Sequence, residues 1–289
     1  MMIEVNHLTK RFRNGKGIFD VGFHVEEGEV LGFIGPNGAG KSTTIRHLMG
    51  FLKPDSGTAE IAGHDCWAES ELVKSRIRYL PGEIVFPAGM SARDFLKLQL
   101  GIRRVSDAGR MKNLIDRFRL NPDIPIKSMS KGMKQKLAII STFMSDSDVI
   151  LLDEPSTGLD PLMQKELIAL FREEKNRGKT IFLSSHIFSE IETVADTICF
   201  IKSGKIIDHE KLSEIDRKIK PVLLVRLCGE DEAGKLQIPF TAYPGGKIGF
   251  EIDRNENEII RQLSTCDVES IEVKKPTLGD IFEKYYAEE

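Results

Sequence analysis

The chain has little to staple or anchor itself with. Its four cysteines, Cys66, Cys199, Cys228 and Cys266, are scattered, with no C-x-x-C and no histidine pair beside them. That spacing excludes the usual zinc sites and fits free thiols in a reducing compartment. Long apolar runs are missing: nothing approaches the ~18 residues that a spanning helix needs. The N-terminal stretch MMIEVNHLTK has no apolar core of a secretory signal, so none is expected. If the protein works at a membrane, another chain is expected to supply the span. A strong excess of one charge is lacking too. Lys and Arg number 41 and Asp and Glu 44, a net of −3, which argues against general affinity for nucleic acid and leaves each basic stretch to be judged locally. No internal repeat or low-complexity tract is visible.

What is present is length and alternation. The 289 residues hold room for one large domain and a small second one. Up to about residue 206, short apolar runs alternate with helical stretches, the pattern of an α/β domain with a largely parallel sheet. Strands are expected at 30–34, 149–153, 180–185 and 197–201, and helices at 161–175 and 187–195. Residues 93–119 read as charged and helical, with Phe95, Leu96, Leu98, Leu114, Ile115 and Phe118 facing inward. A boundary is expected between 212 and 221, where the charged stretch SEIDRKIK ends in proline. Beyond it, strands at 222–227, 247–252 and 268–273 and helices at 256–264 and 277–287 form a small α+β unit over 221–289. From residue 211 onward, 12 Lys and Arg stand against 16 Asp and Glu, a net of −4. A basic nucleic-acid arm would show the opposite balance.

The strongest chemical signal is GPNGAGKS, residues 35–42. It satisfies G-x-x-x-x-G-K-[ST] directly after an expected strand and before an expected helix over 43–49. In such a loop Gly35, Asn37, Gly38 and Gly40 let backbone N–H groups close around phosphates. Lys41 would reach the β- and γ-phosphates of a nucleotide, and the Ser42 hydroxyl would ligate Mg²⁺. Thr43 and Thr44 can add donors to the α- and β-phosphates. A second element, VILLDEP, ends a buried strand on Asp153 and Glu154. Asp153 at the strand tip can hold the Mg²⁺ shell, and Glu154 can orient and deprotonate an attacking water.

A third stretch, KSMSKGMKQK (127–136), carries four lysines and one glycine before an apolar helical run. It reads as a solvated helix start, a nucleic-acid patch, or a phosphate-binding turn at a helix N-terminus, and composition does not choose among them.

GPNGAGKS, KSMSKGMKQK, LLDEPSTGLDP and FLSSH occur in this order, and together they resemble the ATP-binding subunit of an ABC transporter over residues 1–207. The resemblance implies a P-loop ABC-cassette fold with a mainly parallel sheet core, an antiparallel β subdomain and a helical subdomain at about 85–145, the whole cassette spanning 1–212. SMSKGMKQK then matches the family signature. Ser130 and Gly132 stand at its phosphate-contacting positions, Lys131 replaces a glycine and Met133 a glutamine. In the family this signature contacts ATP held by the opposite subunit, which implies a head-to-tail ATP-sandwich dimer. The resemblance also makes Phe12 the aromatic that stacks on adenine. His186 becomes the residue that contacts the γ-phosphate, and Asp160 a bridge across the dimer. Where the family has YLPQE, this chain has Tyr79-Leu80-Pro81-Gly82-Glu83. Either Glu83 moves in toward the metal in place of the missing glutamine, or the contact is lost.

KKPTLGDIFEKYY (274–286) is similar to the tail of bacterial cassettes serving ABC-2 export permeases. It implies an ATPase on the cytoplasmic face of the bacterial membrane, powering a separately encoded permease that exports drugs, antibiotics or peptides. The rival reading is a soluble ABC ATPase that remodels nucleic-acid or protein complexes. The interval between phosphate loop and signature, about ninety residues without sustained heptads, gives that rival little support.

Overall fold

A computed structural model describes residues 1–280 except 106, 219 and 276. The chain divides into two compact units, Met1–Leu212 and Ser213–Glu289.

Among the described residues of the first unit, two sheets form. The antiparallel sheet has the order β2 (Gly17–Val25), β1 (Ile3–Arg11), β4 (Ser56–Ile61), β5 (His64–Asp65). Along β2, Val21, Phe23 and Val25 are buried while Gly22 and His24 face outward, the period-two signature of a sheet packed on one face. The second sheet runs β10 (Lys205–Lys211), β9 (Thr197–Lys202), β3 (Val30–Ile34), β8 (Thr180–Ser185), β7 (Val149–Asp153), β6 (Ile77–Leu80). It is parallel except for β10, which returns from β9 as a hairpin. Every residue of β3, β7 and β8 is buried, as expected of parallel strands covered on both faces. Phe23 of the antiparallel sheet meets Phe33 and Phe182 of the parallel one, with ring centroids 5.5 and 5.8 Å away.

Helix α1 (Lys41–Leu48) leads from β3 to β4 of the antiparallel sheet, α6 (Pro161–Asn176) and α7 (Phe188–Val194) connect successive parallel strands, and α2 (Ser70–Arg76) precedes β6. Between β6 and β7 lie α3 (Ala92–Ile102), α4 (Gly109–Arg117) and α5 (Lys131–Phe143). The expected 93–119 stretch is therefore two helices. A capping box of Ser91 and Asp94 opens the first. Phe95, Leu96, Leu114 and Phe118 are buried and Ile115 is half-buried, but Leu98 is 42% exposed. The inward stripe of α3 is Ala92, Phe95, Leu96 and Leu100, a spacing of three and four that turns Leu98 to the opposite side.

Register places the site. Ile34 pairs with Ser185, and Asp153 with Ser184, so the C-terminal tips of β3, β7 and β8 are neighbours. In an open α/β sheet this is where ligands bind.

The second unit carries α8 (Leu212–Lys218), which begins at the last residue of the first unit, and an antiparallel sheet of order β12 (Thr241–Tyr243), β13 (Lys247–Glu251), β11 (Val222–Leu227), β14 (Val268–Lys274). Ile259 and Leu263 of α9 (Glu256–Leu263) pack with Val225, Ile248 and Phe250. The three-residue β12 carries no periodic signal to read in advance. The helix expected over 277–287 lies largely outside the described residues.

Candidate functional site

The phosphate loop leaves β3 and enters α1 at Lys41, two residues before the expected start. Gly35 lies so close to β9 that a Cβ would stand 2.4 Å from the Ile201 carbonyl oxygen. Lys41 is only 6% exposed. Its Nζ donates to the Gly35 carbonyl at 2.7 Å and lies 3.4 Å from that of Pro36. The ammonium is thus held inside the loop, ready to exchange carbonyls for phosphate oxygens. Loop and helix start line a cavity of about 310 Å³ through Pro36, Asn37, Gly38, Gly40, Lys41, Ser42 and Thr43. Phe12, from the turn after β1, and Glu154 complete its rim. Thr43 faces this space, whereas Thr44 does not: its buried hydroxyl donates to the Gly40 carbonyl at 3.1 Å, one turn back. Thr44 is therefore a helix-internal residue, not a phosphate donor.

At the tip of β7, Asp153 accepts from two hydroxyls, Ser42 Oγ at 2.7 Å and Ser184 Oγ at 2.6 Å. The fully buried Ser184 fixes one carboxylate oxygen and leaves the other on Ser42. Glu154, the next residue, has φ of +50°. A non-glycine residue in the left-handed region is uncommon and bends the chain sharply. Here it swings the carboxylate toward the cavity. Glu154 Oε1 lies 3.3 Å from Lys41 Nζ and has no hydrogen-bond partner, and Oε2 lies 2.5 Å from His186 Nδ1. The structure thus brings together Phe12, the phosphate loop, Asp153, Glu154 and His186.

It does not bring in Ser130 and Gly132, which lie outside the cavity lining. Ser130 caps α5, its exposed Oγ accepting from Met133 N at 3.3 Å. The reason for glycine at 132 is internal: a Cβ there would stand 2.7 Å from the Gly158 carbonyl oxygen. The stem of Lys131 lies over Gly158, and Lys136 Nζ is 4.0 Å from Asp160. Asp160 itself caps α6, accepting from Met163 N at 3.0 Å. Gln135, a residue the motif pattern did not single out, is 3% exposed and donates to the Pro155 carbonyl at 2.6 Å. α5 is thereby fastened to the segment after Glu154.

Glu83 is also left out. It is exposed and has no place in the cavity. Past the end of β6 it is Gly82 that lies against Asp153, with a Cβ position 3.4–3.5 Å from that residue's carbonyl and carboxylate. Gly82 takes the place beside Asp153, so its neighbour Glu83 is not among the carboxylates of the site. A buried carboxylate that sequence did not flag does reach this region. Glu190 of α7 accepts from Ser185 Oγ at 3.3 Å and from Ser156, and burial raises its pKa above the ordinary 4.5. Only its spacing, four residues after His186, could have hinted at it.

Comparison with known proteins agrees with this geometry. The ABC transporter family model matches residues 18–157. An uncharacterised ABC transporter ATP-binding protein of Bacillus subtilis is 33% identical over 217 residues, which are 74% of this chain and 71% of the relative. The bacitracin transport ATP-binding protein of Bacillus licheniformis is 32% identical over 235 residues, 80% of this chain and 77% of the relative. The daunorubicin/doxorubicin resistance ATP-binding protein of Streptomyces peucetius is 33% identical over 231 residues, covering 78% and 70%. A solved ATP-binding subunit of an ABC transporter superposes with a TM-score of 0.71 at 32% identity, covering 75% of this chain and 93% of that one. The motif order read from the sequence and the folded site therefore lead to one conclusion: the chain belongs to the ATP-binding proteins of ABC transporters, ATPases built on the P-loop cassette fold.

Proposed function

We propose that this chain hydrolyses MgATP to drive export through a separately encoded permease on the cytoplasmic face of a bacterial membrane. The observation that carries the reading is the meeting of Lys41 and Glu154 in one cavity, with His186 on the other oxygen of Glu154 and Ser42 paired with Asp153. Residues 1–212 act as the cassette, and 221–289 as an accessory domain.

Lys41 and the loop N–H groups hold the phosphate chain, and Phe12 at the rim supports the adenine ring by stacking. The Ser42 hydroxyl and Asp153 carboxylate form a donor set suited to Mg²⁺, which takes one or two protein oxygens together with substrate phosphates. The ion would neutralise charge building on the phosphates. Glu154 Oε1, free of hydrogen bonds, is the acceptor for a proton of the attacking water. His186 fixes the other carboxylate oxygen, which supports its motif-implied role toward the γ-phosphate.

One cavity is half of the machinery. Ser130 and Gly132 open the 13-residue helix α5, whose first turn contains Lys131 and no acidic residue. Such a terminus attracts an anion, and none of its residues lines this chain's own cavity. A second copy docked head-to-tail supplies that anion as its bound ATP. Exposed Phe51, Leu72, Leu98 and Ile102 of the first unit support contact with a further protein, and no described helix is long and apolar enough to cross a membrane. The relatives named for bacitracin transport and daunorubicin/doxorubicin resistance support export. The test is reconstitution with the permease from the neighbouring reading frame. ATP-dependent efflux that Glu154→Gln abolishes supports the reading, and a neighbouring frame without membrane spans overturns it.

A further inference from the structure

We propose that Arg78, Arg103 and Ser145 form a binding site for a phosphate group, separate from the nucleotide cavity. Arg78 lies on β6, Arg103 caps the C-terminus of α3, and Ser145 follows the C-cap of α5. Arg78 Nε and Arg103 Nη1 donate to the same atom, Ser145 Oγ, at 2.8 and 2.9 Å. Two guanidinium groups thus converge on one neutral hydroxyl. Among the described residues neither forms a salt bridge.

The nearby carboxylates are already committed. Glu174 pairs with Arg110 and Arg177, Asp146 with Arg177 and Lys179, and Asp148 with Arg76. The C-terminal carbonyls of α5 do not explain the pair either. Arg110 serves that helix end through the Phe143 carbonyl, whereas Arg78 bonds its own neighbour, Ile77, at 2.7 Å. Burial and then Arg78 hold the pKa of Arg103 down to about 10, the mark of a cation short of counter-charge.

Donors remain for a ligand. Arg78 Nη2 and Arg103 Nε and Nη2 are in no hydrogen bond among the described residues, and none is sealed from solvent. Ser145 Oγ accepts twice, while its own proton has no acceptor among the described residues. Two guanidinium charges call for a dianion. A phosphate monoester carries about −1.5 to −2 at pH 7 and can take forked bonds from both, whereas a single carboxylate would leave one charge uncompensated. A phosphate held here would brace β6, which leads to Gly82, against α5, which begins at Ser130.

The nucleotide cavity also takes phosphate, so the full chain is tested as Lys41→Ala. Inorganic phosphate is titrated and binding is followed by calorimetry and by the unfolding midpoint. Saturable stabilisation is expected, with about tenfold or greater loss of affinity when Arg103→Gln is added. Should that variant fail to fold, Arg103→Lys keeps the charge and removes the fork, and the same loss is expected. An equal response with and without the arginine change overturns the proposal, as does acetate stabilising as well as phosphate at matched ionic strength. Pelleting with vesicles containing phosphatidic acid, whose headgroup is a phosphate monoester, but not with phosphatidylcholine vesicles, that requires Arg103 would make a lipid headgroup the source of the phosphate. Phosphate binding without pelleting would make the source a soluble phosphate.

Discussion

Gly132 and Gly158 are in backbone contact: a single carbon added to the first would stand 2.7 Å from the carbonyl oxygen of the second. The start of α5 and the loop after β7 therefore form one surface. The glycine in KSMSKGMKQK is needed by its own chain before any partner arrives.

Gly132→Ala should consequently uncouple turnover from binding. Overpacking costs about 1–3 kcal/mol, displacing the start of α5 from the loop that follows Glu154. ATPase activity should fall at least about tenfold, while nucleotide affinity of the isolated chain, measured by calorimetry, stays close to wild type. Undiminished hydrolysis would show that this contact is idle.

Glu154→Gln keeps the shape of the side chain and removes its basicity. ATP binding should persist and turnover should drop by about 10²–10⁴, leaving a closed dimer visible by light scattering in ATP. His186→Ala should lower turnover too, since it releases Glu154 Oε2. Hydrolysis at the wild-type rate in Glu154→Gln would remove this residue as the base.

If the sites are shared as proposed, specific activity depends on concentration. ATPase activity per mole of chain should rise with dilution reversed, from nanomolar to micromolar protein, as copies pair. Strict proportionality over that range, with only monomer in sedimentation, would refute the head-to-tail arrangement.

Glu190 links stability to pH. Burial raises its carboxyl pKa, and bonds from Ser156 and Ser185 offset part of the rise. A carboxyl raised on folding holds its proton more tightly in the folded state, so its contribution to stability falls as pH climbs from 4.5 through the raised value. Glu190→Gln abolishes that loss. The unfolding midpoint of the variant relative to wild type should increase from pH 5 to pH 8. A difference that stays constant over this window would show that Glu190 does not titrate there.

The parallel core was legible because its strands are short, wholly apolar runs ending on polar residues, as at Asp153 and Ser185. The phosphate loop was legible because its chemistry is contiguous. What escaped was set by tertiary contact. Leu98 reads as apolar, yet the stripe of α3 turns it outward. Thr44 reads as a donor, yet its hydroxyl is spent one turn back. Glu83 reads either as a substitute ligand or as a lost contact, and it is Gly82 that lies against Asp153. Gln135 and Glu190 draw their importance from partners 20 residues away or across a turn, which no local pattern encodes.

The bond from Gln135 to the Pro155 carbonyl has a consequence for timing. In the proposed pair, each copy's α5 reads the other's nucleotide, and each α5 is fastened next to its own Glu154. The two fastenings complete a closed circuit through both hydrolytic centres. In that arrangement neither centre would run on its own clock: what happened in one would be remembered in the geometry of the other.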